Sequence, residues 1–171
     1  MTEVELLAAR AEIFGSIFVV VQQLARRADR ELEILDITTR QWLLLAVLTK
    51  WFPGRSPSLS EAAERYGSSR QNVKQIALGL EARGFVRLVP DPDDARATRI
   101  ELTERVGVFD EPGMVARAGA MLEDAFAGLA PDETIALRDL VRKWLAGVAR
   151  ATGPADPPVL ANVSGVAGPT A

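Results

Sequence analysis

The chain has 171 residues, is 48% apolar and 25% charged, and carries a formal net charge of −3. It contains neither cysteine nor histidine, which excludes disulfides, thiolate chemistry, a thiol redox switch and histidine-based metal or general-base sites. No apolar run approaches the roughly 18 residues needed to cross a bilayer, and the opening "MTEVELLAAR" is acidic rather than basic. These features predict a cytoplasmic protein without a secretory signal, cofactor or metal, and not an enzyme.

In chain order, Leu6, Leu7, Ile13, Phe14, Ile17, Phe18, Val21 and Leu24 recur at three- and four-residue steps, so the spacing predicts a helix from Glu3 to about Arg30. Val19 and Val20 widen its apolar face and predict burial on more than one side. "TTRQWLLLAVLTKWF" is a second helix, with Thr38 and Gln41 as a capping box and Pro53-Gly54 as its stop. "SLSEAAERYG" follows as a short helix with Ser58 as N-cap and Glu61 at the third helical position. "SRQNVKQIALGLEARG" is longer, with Ser69 as N-cap and Gly84 at its end. "FVRLV" and "TRIELT" are strand candidates, the latter with Ile100 and Leu102 on one face. Two more helices follow, one from about Met114 to Leu129 and one from Pro131 through Val148. The Pro/Gly/Ala-rich stretch 153–171 is expected to be a disordered tail.

Charge is unevenly spread along this order. Residues 65–87 hold five cations (Arg65, Arg70, Lys74, Arg83, Arg87) against Glu81 alone, whereas residues 1–36 hold four arginines against seven acids. A basic segment on an acidic body suits a polyanion. The two central helices also fit a helix-turn-helix: Ala63, Gly67 and Val73 stand fifth, ninth and fifteenth from Leu59. The first needs a small side chain where helices cross, the second a residue tolerant of positive φ, and the third a core contact. Ser68 departs from the pattern, which usually has an apolar residue there. The second helix opens with Arg70, Gln71, Asn72, Lys74 and Gln75, side chains that fork onto base edges or reach phosphates.

Taken together, "LDITTRQWLLLAVL", "LSEAAERYGSSRQNVKQIALGLEARGFV", "DPDDARATRIELT" and "GLAPDETIALRDLVRKWL" resemble the multiple antibiotic resistance regulator (MarR) family over residues 3–150. The resemblance implies a mainly α fold with a small β-hairpin wing. A winged helix-turn-helix lobe over about 38–104 and a helical dimerisation lobe over about 3–30 and 114–150 would form a single domain spanning 1–152. It implies a homodimeric transcriptional regulator, a repressor in the first instance, bound to a pseudo-palindromic double-stranded DNA site and released by a small aromatic or anionic effector. Ser69, Arg70, Gln71 and Asn72 would enter the major groove, with Lys74 and Gln75 beside them. Arg96 at the wing tip would reach the minor groove, held by a charge-assisted hydrogen bond that it donates to Asp94, with Arg99 completing the set. Phe14, Phe18 and Trp42 are the expected effector-pocket residues.

Three departures accompany the resemblance: Ala95 replaces a frequent arginine, "VGVFDEPG" interrupts the run into the fifth helix, and Ala130 replaces the usual Ser/Thr cap. Two rival functions stand beside the regulator. One is a winged-helix protein-interaction module that binds no DNA, and the other is an enzyme using Asp93 and Asp94. Adjacent carboxylates in a turn do not face each other across a substrate.

Overall fold

The computed structural model describes residues 2–94 and 96–152. The expected tail, 153–171, and Ala95 lie outside the described residues. Helix α1 (Glu3–Leu32) runs through a short 3-10 helix (Glu33–Leu35) into α2 (Thr39–Trp51), and α3 (Leu59–Tyr66) and α4 (Arg70–Glu81) follow. Strands β1 (Val86–Pro90) and β2 (Thr98–Leu102) precede a second 3-10 helix (Glu104–Asp110), α5 (Pro112–Phe126) and α6 (Pro131–Thr152).

Helix starts obey local chemistry. Thr38 and Gln41 form a reciprocal capping box on α2, and Ser58 and Glu61 form another on α3. Thr2 and Glu5 form a third on α1. Ser69 caps α4 through the Asn72 N–H. Ala130 offers no side chain, but its N–H donates to Glu133 Oε2 at 2.8 Å, which recovers half of a capping box. The expected interruption before the fifth helix is the 3-10 segment Glu104–Asp110, and Pro112 then occupies the first turn of α5. Proline fits there because its missing N–H would have no helical partner. The helix therefore begins two residues before Met114 and ends at Phe126 rather than Leu129.

One core joins α2, α3, α4 and the hairpin. Leu44, Leu45, Leu48, Leu59, Val73, Leu80, Phe85 and Ile100 are all essentially inaccessible to solvent. The strands pair antiparallel with Leu88 opposite Ile100, so Ile100 and Leu102 share the inward face, as alternation predicts. A third, minimal strand contributes from the α2–α3 loop, where the Ile100 N–H donates to the Pro57 carbonyl at 2.8 Å. The hairpin is thus fastened to the helical lobe at its base.

Outside this lobe the single chain covers little. Val19, Val20, Phe14 and Phe18 on α1 are more than half exposed or close to it, and Leu32, at the helix end, is the buried residue of α1. The burial of α1 on several sides is therefore not met within one chain. Ile135, Leu140, Trp144 and Val148 on α6 are likewise exposed, and α6 has no extensive packing against any other element.

Glu61 gives a test of the capped α3 start. The Ser58 backbone N–H, then Arg55, lower its pKa to about 2 from 4.5. A depressed folded pKa stabilises above the unfolded value, and that stability drains away as pH falls from about 4.5 toward about 2. Because this side chain is 40% exposed, solvent screening limits its worth to about 1 kcal/mol. Glu61→Ala should lose that amount at pH 7 and show a shallower decline of urea midpoint between pH 4.5 and pH 2 than the parent.

Candidate nucleic-acid interface

The site is built on the α3–α4 turn. Gly67 ends α3 with φ 73°, a left-handed backbone that a side chain would strain. The Ser68 N–H then donates to the Ala63 carbonyl at 3.1 Å, closing the turn. Ala63, small and 4% exposed, lets α4 cross α3 closely. On α4, Val73, Ile76, Ala77 and Leu80 are buried, which orients the rest of the helix. Arg70, Gln71, Asn72, Lys74 and Gln75 consequently stand exposed on one face. The expected recognition set is therefore brought together by burial of its apolar neighbours.

Arg83, toward the far end of α4, serves another purpose. Its guanidinium lies 3.1 Å from the Asp36 carboxylate, and it also donates to the carbonyls of Asp36 and Gly79. Asp36 adopts a left-handed backbone (φ 55°) at the α1–α2 junction. Arg87 pairs with Glu101 across the hairpin at 3.2 Å, and Arg65 sits over the Trp51 ring at 4.8 Å. Of the five cations in the basic segment, three thus have partners within the fold. Arg70 and Lys74 have no acidic partner among the described residues.

At the wing, the charges separate into two groups. Asp91 is nearly buried, accepts the Asp93 N–H at 2.9 Å, and lies 2.7 Å from Arg99 Nε. The Asp93 N–H, then Arg99, hold its carboxyl below the usual carboxylate range. Arg99 also donates to the Ser56 carbonyl at 2.9 Å, tying the wing to the α2–α3 loop. Arg99, expected to face a nucleic acid, is placed by the structure against Asp91 and Ser56. Asp94 meets Arg96 differently from the expected side-chain bond. Its Oδ1 accepts the Arg96 backbone N–H at 2.9 Å, and its carbonyl accepts the Ala97 N–H at 2.8 Å. Asp94 therefore shapes the turn while the Arg96 side chain stands exposed at its tip.

The three aromatic positions expected in a pocket part company. Trp42 lines a cavity of about 100 Å³ with Leu32, Phe109, Met114, Met121 and Leu122, at the junction of α1, α2 and α5. Glu31 and Arg117, paired at 3.2 Å, border it, and Arg27 pairs with Asp124 close by. Phe14 and Phe18 contact each other edge-to-face at 5.1 Å but lie outside this cavity, on the exposed face of α1. Helical periodicity marks an apolar face without saying which neighbour covers it. Sequence reasoning also missed Asp91, Arg117 and Glu31; the Asp-Pro-Asp spacing was the available signal for Asp91.

With this geometry, the relation to known proteins is direct. Residues 35–97, which run from the end of α1's 3-10 extension through both HTH helices to the wing tip, match the model of the MarR family. Over these residues the chain is similar to the MarR family. A curated relative, the transcriptional activatory protein BadR of Rhodopseudomonas palustris, is 27% identical over 92 residues. That alignment covers 54% of this chain and 53% of BadR, about half of each. Two crystal structures share the winged-helix fold. The organohalide-sensing regulator RdhR-CbdbA1625, in its 2,4-dichlorophenol-bound form, has a TM-score of 0.73 and 20% identity, covering 92% of this chain and 91% of that one. Sco3205 of Streptomyces coelicolor, a MarR family regulator in complex with DNA, has a TM-score of 0.65 and 22% identity, covering 88% and 94%.

The Asp91–Arg99 pair gives the wing a specific test. Asp91→Ala should speed amide hydrogen exchange across Thr98–Leu102 and leave α3 and α4 protected. Unchanged exchange at the Ile100 amide would show that the wing base is held without the pair.

Proposed function

We propose that the protein is a non-enzymatic, sequence-specific double-stranded DNA-binding transcriptional regulator that works as a homodimer. The observation that carries this reading is the exposed face of α4, where Arg70, Gln71, Asn72, Lys74 and Gln75 cluster, with Arg96 of the wing also exposed. A helix of this width fits the major groove with its first turns at the base edges, and a slim hairpin carries an arginine into the narrower minor groove. Occupation of a promoter by such a dimer represses by exclusion, so repression is the default sign of regulation. The work is cytoplasmic, and no helix among the described residues is long and apolar enough to cross a membrane.

The dimer reading is supported by the uncovered apolar faces of α1 and α6. Val19, Val20, Leu140 and Trp144 would stay in water in a lone chain, a cost that a two-fold partner removes. Light scattering at micromolar concentration should give about 37 kDa, twice the 18.5 kDa of one chain. A mass equal to one chain at every concentration would refute the dimer and the symmetric site with it.

Effector control is supported by the Trp42 cavity, whose apolar wall and bordering Arg117–Glu31 pair suit a small aromatic anion. The cavity lies between α1, which carries the proposed dimer face, and α2, which packs on α4, so filling it would alter how the two recognition helices are spaced.

Binding to duplexes drawn from the DNA upstream of its own gene tests the whole reading. Half-site centres should lie about one helical turn, roughly 10 base pairs, apart. Arg70→Ala should cost about 1–3 kcal/mol on the preferred site and much less on random DNA. Arg96→Ala should weaken binding most where flanks are A/T-rich. Asp94→Asn keeps a carbonyl acceptor for the Arg96 N–H and should bind nearly as the parent does, whereas Asp94→Ala should show part of the Arg96→Ala loss. In the same titration, 2,4-dichlorophenol should weaken binding by the parent and not by Trp42→Ala. No difference between preferred and random duplex would reduce the protein to a nonspecific binder.

A further inference from the structure

Ser68 stands in the α3–α4 turn at a place where helix-turn-helix motifs usually have an apolar residue, and the structure gives its hydroxyl a defined partner. Ser68 Oγ accepts a hydrogen bond from Asn72 Nδ2 at 2.8 Å. The Ser68 backbone is itself fixed, because Gly67 sets the left-handed turn and the Ser68 N–H donates to Ala63. The Asn72 backbone N–H, in turn, donates to Ser69 Oγ at 3.2 Å. Main chain and side chain of Asn72 are therefore both held from the turn.

The other HTH helix starts make the contrast plain. At the third helical position, Gln41 and Glu61 turn back onto the N–H of their own cap residues, at 2.9 and 2.8 Å. Asn72 occupies that position in α4, yet its amide reaches one residue further back, to Ser68, and leaves the capping box open. Nothing in helix stability calls for this arrangement, since Ser69 already caps the helix.

We propose that Ser68 is a positioning residue that locks the Asn72 amide in the orientation that reads an adenine in the major groove. This inference rests on the DNA-binding reading above. An amide nitrogen carries two protons. With one given to Ser68, the other remains next to Oδ1, and that donor–acceptor pair matches N7 and the N6 amino group of adenine. A serine oxygen accepting from Nδ2 also fixes which end of the amide faces the turn. Without it, an exposed asparagine turns freely about its last torsion and must be ordered when DNA binds. A phosphate contact by Asn72 would need no such orientation, because phosphates carry no sequence.

Selection of duplexes from a random library, using the full-length parent, defines the preferred site. Asn72→Ala then identifies the base pair that Asn72 reads, as the position whose adenine preference disappears. Ser68→Ala should lose roughly 3- to 10-fold of that same preference, the worth of about one net hydrogen bond, with affinity for random duplex unchanged. Ser68→Thr keeps the hydroxyl and should restore the preference. In an Asn72→Ala background, Ser68→Ala should have no further effect on base preference. In the free protein, the Asn72 Nδ2 proton given to Ser68 should exchange with solvent more slowly in the parent and in Ser68→Thr than in Ser68→Ala. This readout needs no DNA and also reports whether each variant is folded.

Full adenine preference in Ser68→Ala, or equal weakening on every duplex, would overturn the proposal while leaving the regulator reading standing. A parent that selects no sequence from the library would instead defeat the DNA-binding reading, and this inference with it.

Discussion

Burial of one face of α4 is the constraint on which the rest depends. Val73, Ile76, Ala77 and Leu80 are held against α2, α3 and β1, and a helix with that stripe inside has one rotational setting. The setting decides that Arg70, Gln71 and Asn72 point outward together. Ala63 and Gly67 make the setting reachable, the first by allowing a close crossing and the second by a backbone turn that a side chain would resist. Gly79 adds a second close approach, since a Cβ there would meet the Gln41 amide. The chemistry of the interface is therefore determined by apolar packing behind it.

A similar division of labour organises the wing. Its charges look redundant as a string, but the fold separates them by depth. Asp91 and Arg99 lie where the strands meet the turn and join the hairpin to Ser56, where partial burial strengthens their attraction and the backbone N–H of Asp93 satisfies a remaining lone pair. Asp94 works through the main chain, and Arg96 alone projects from the tip. The stiff base reduces the freedom the exposed arginine must give up in meeting an anion.

The uncovered faces of α1 and α6 and the cavity at Trp42 belong to one physical situation. Among the described residues, the helical lobe packs chiefly where α1 meets α5 and the start of α2. Asp29 anchors that junction by accepting from both the N–H and the hydroxyl of Thr39, at 2.6 and 2.7 Å. Arg83 links the same junction to the end of α4 through Asp36. These short, directional contacts tie α4 to the end of α1.

The sequence by itself determined the elements and their caps, because those depend on neighbours three or four residues away. Thr38–Gln41, Ser58–Glu61, Ser69 and the strand alternation at Ile100 and Leu102 are all of this kind. It also determined the composition of the α4 face, since the period of Val73, Ile76 and Leu80 leaves no other arrangement. Only the tertiary structure decided which arginines are available. Arg70 and Arg99 are equally cationic on paper, but Arg99 meets Asp91 and Ser56, residues 8 and 43 positions away in the chain. It decided too that Trp42 faces a cavity while Phe14 and Phe18 lie on an open helix face, because periodicity specifies an apolar side and not its neighbour. Ser68 is a local case, since its partner lies four residues on in the chain. Local pattern marked it as a departure, and the left-handed turn at Gly67 is what carries its hydroxyl to Asn72.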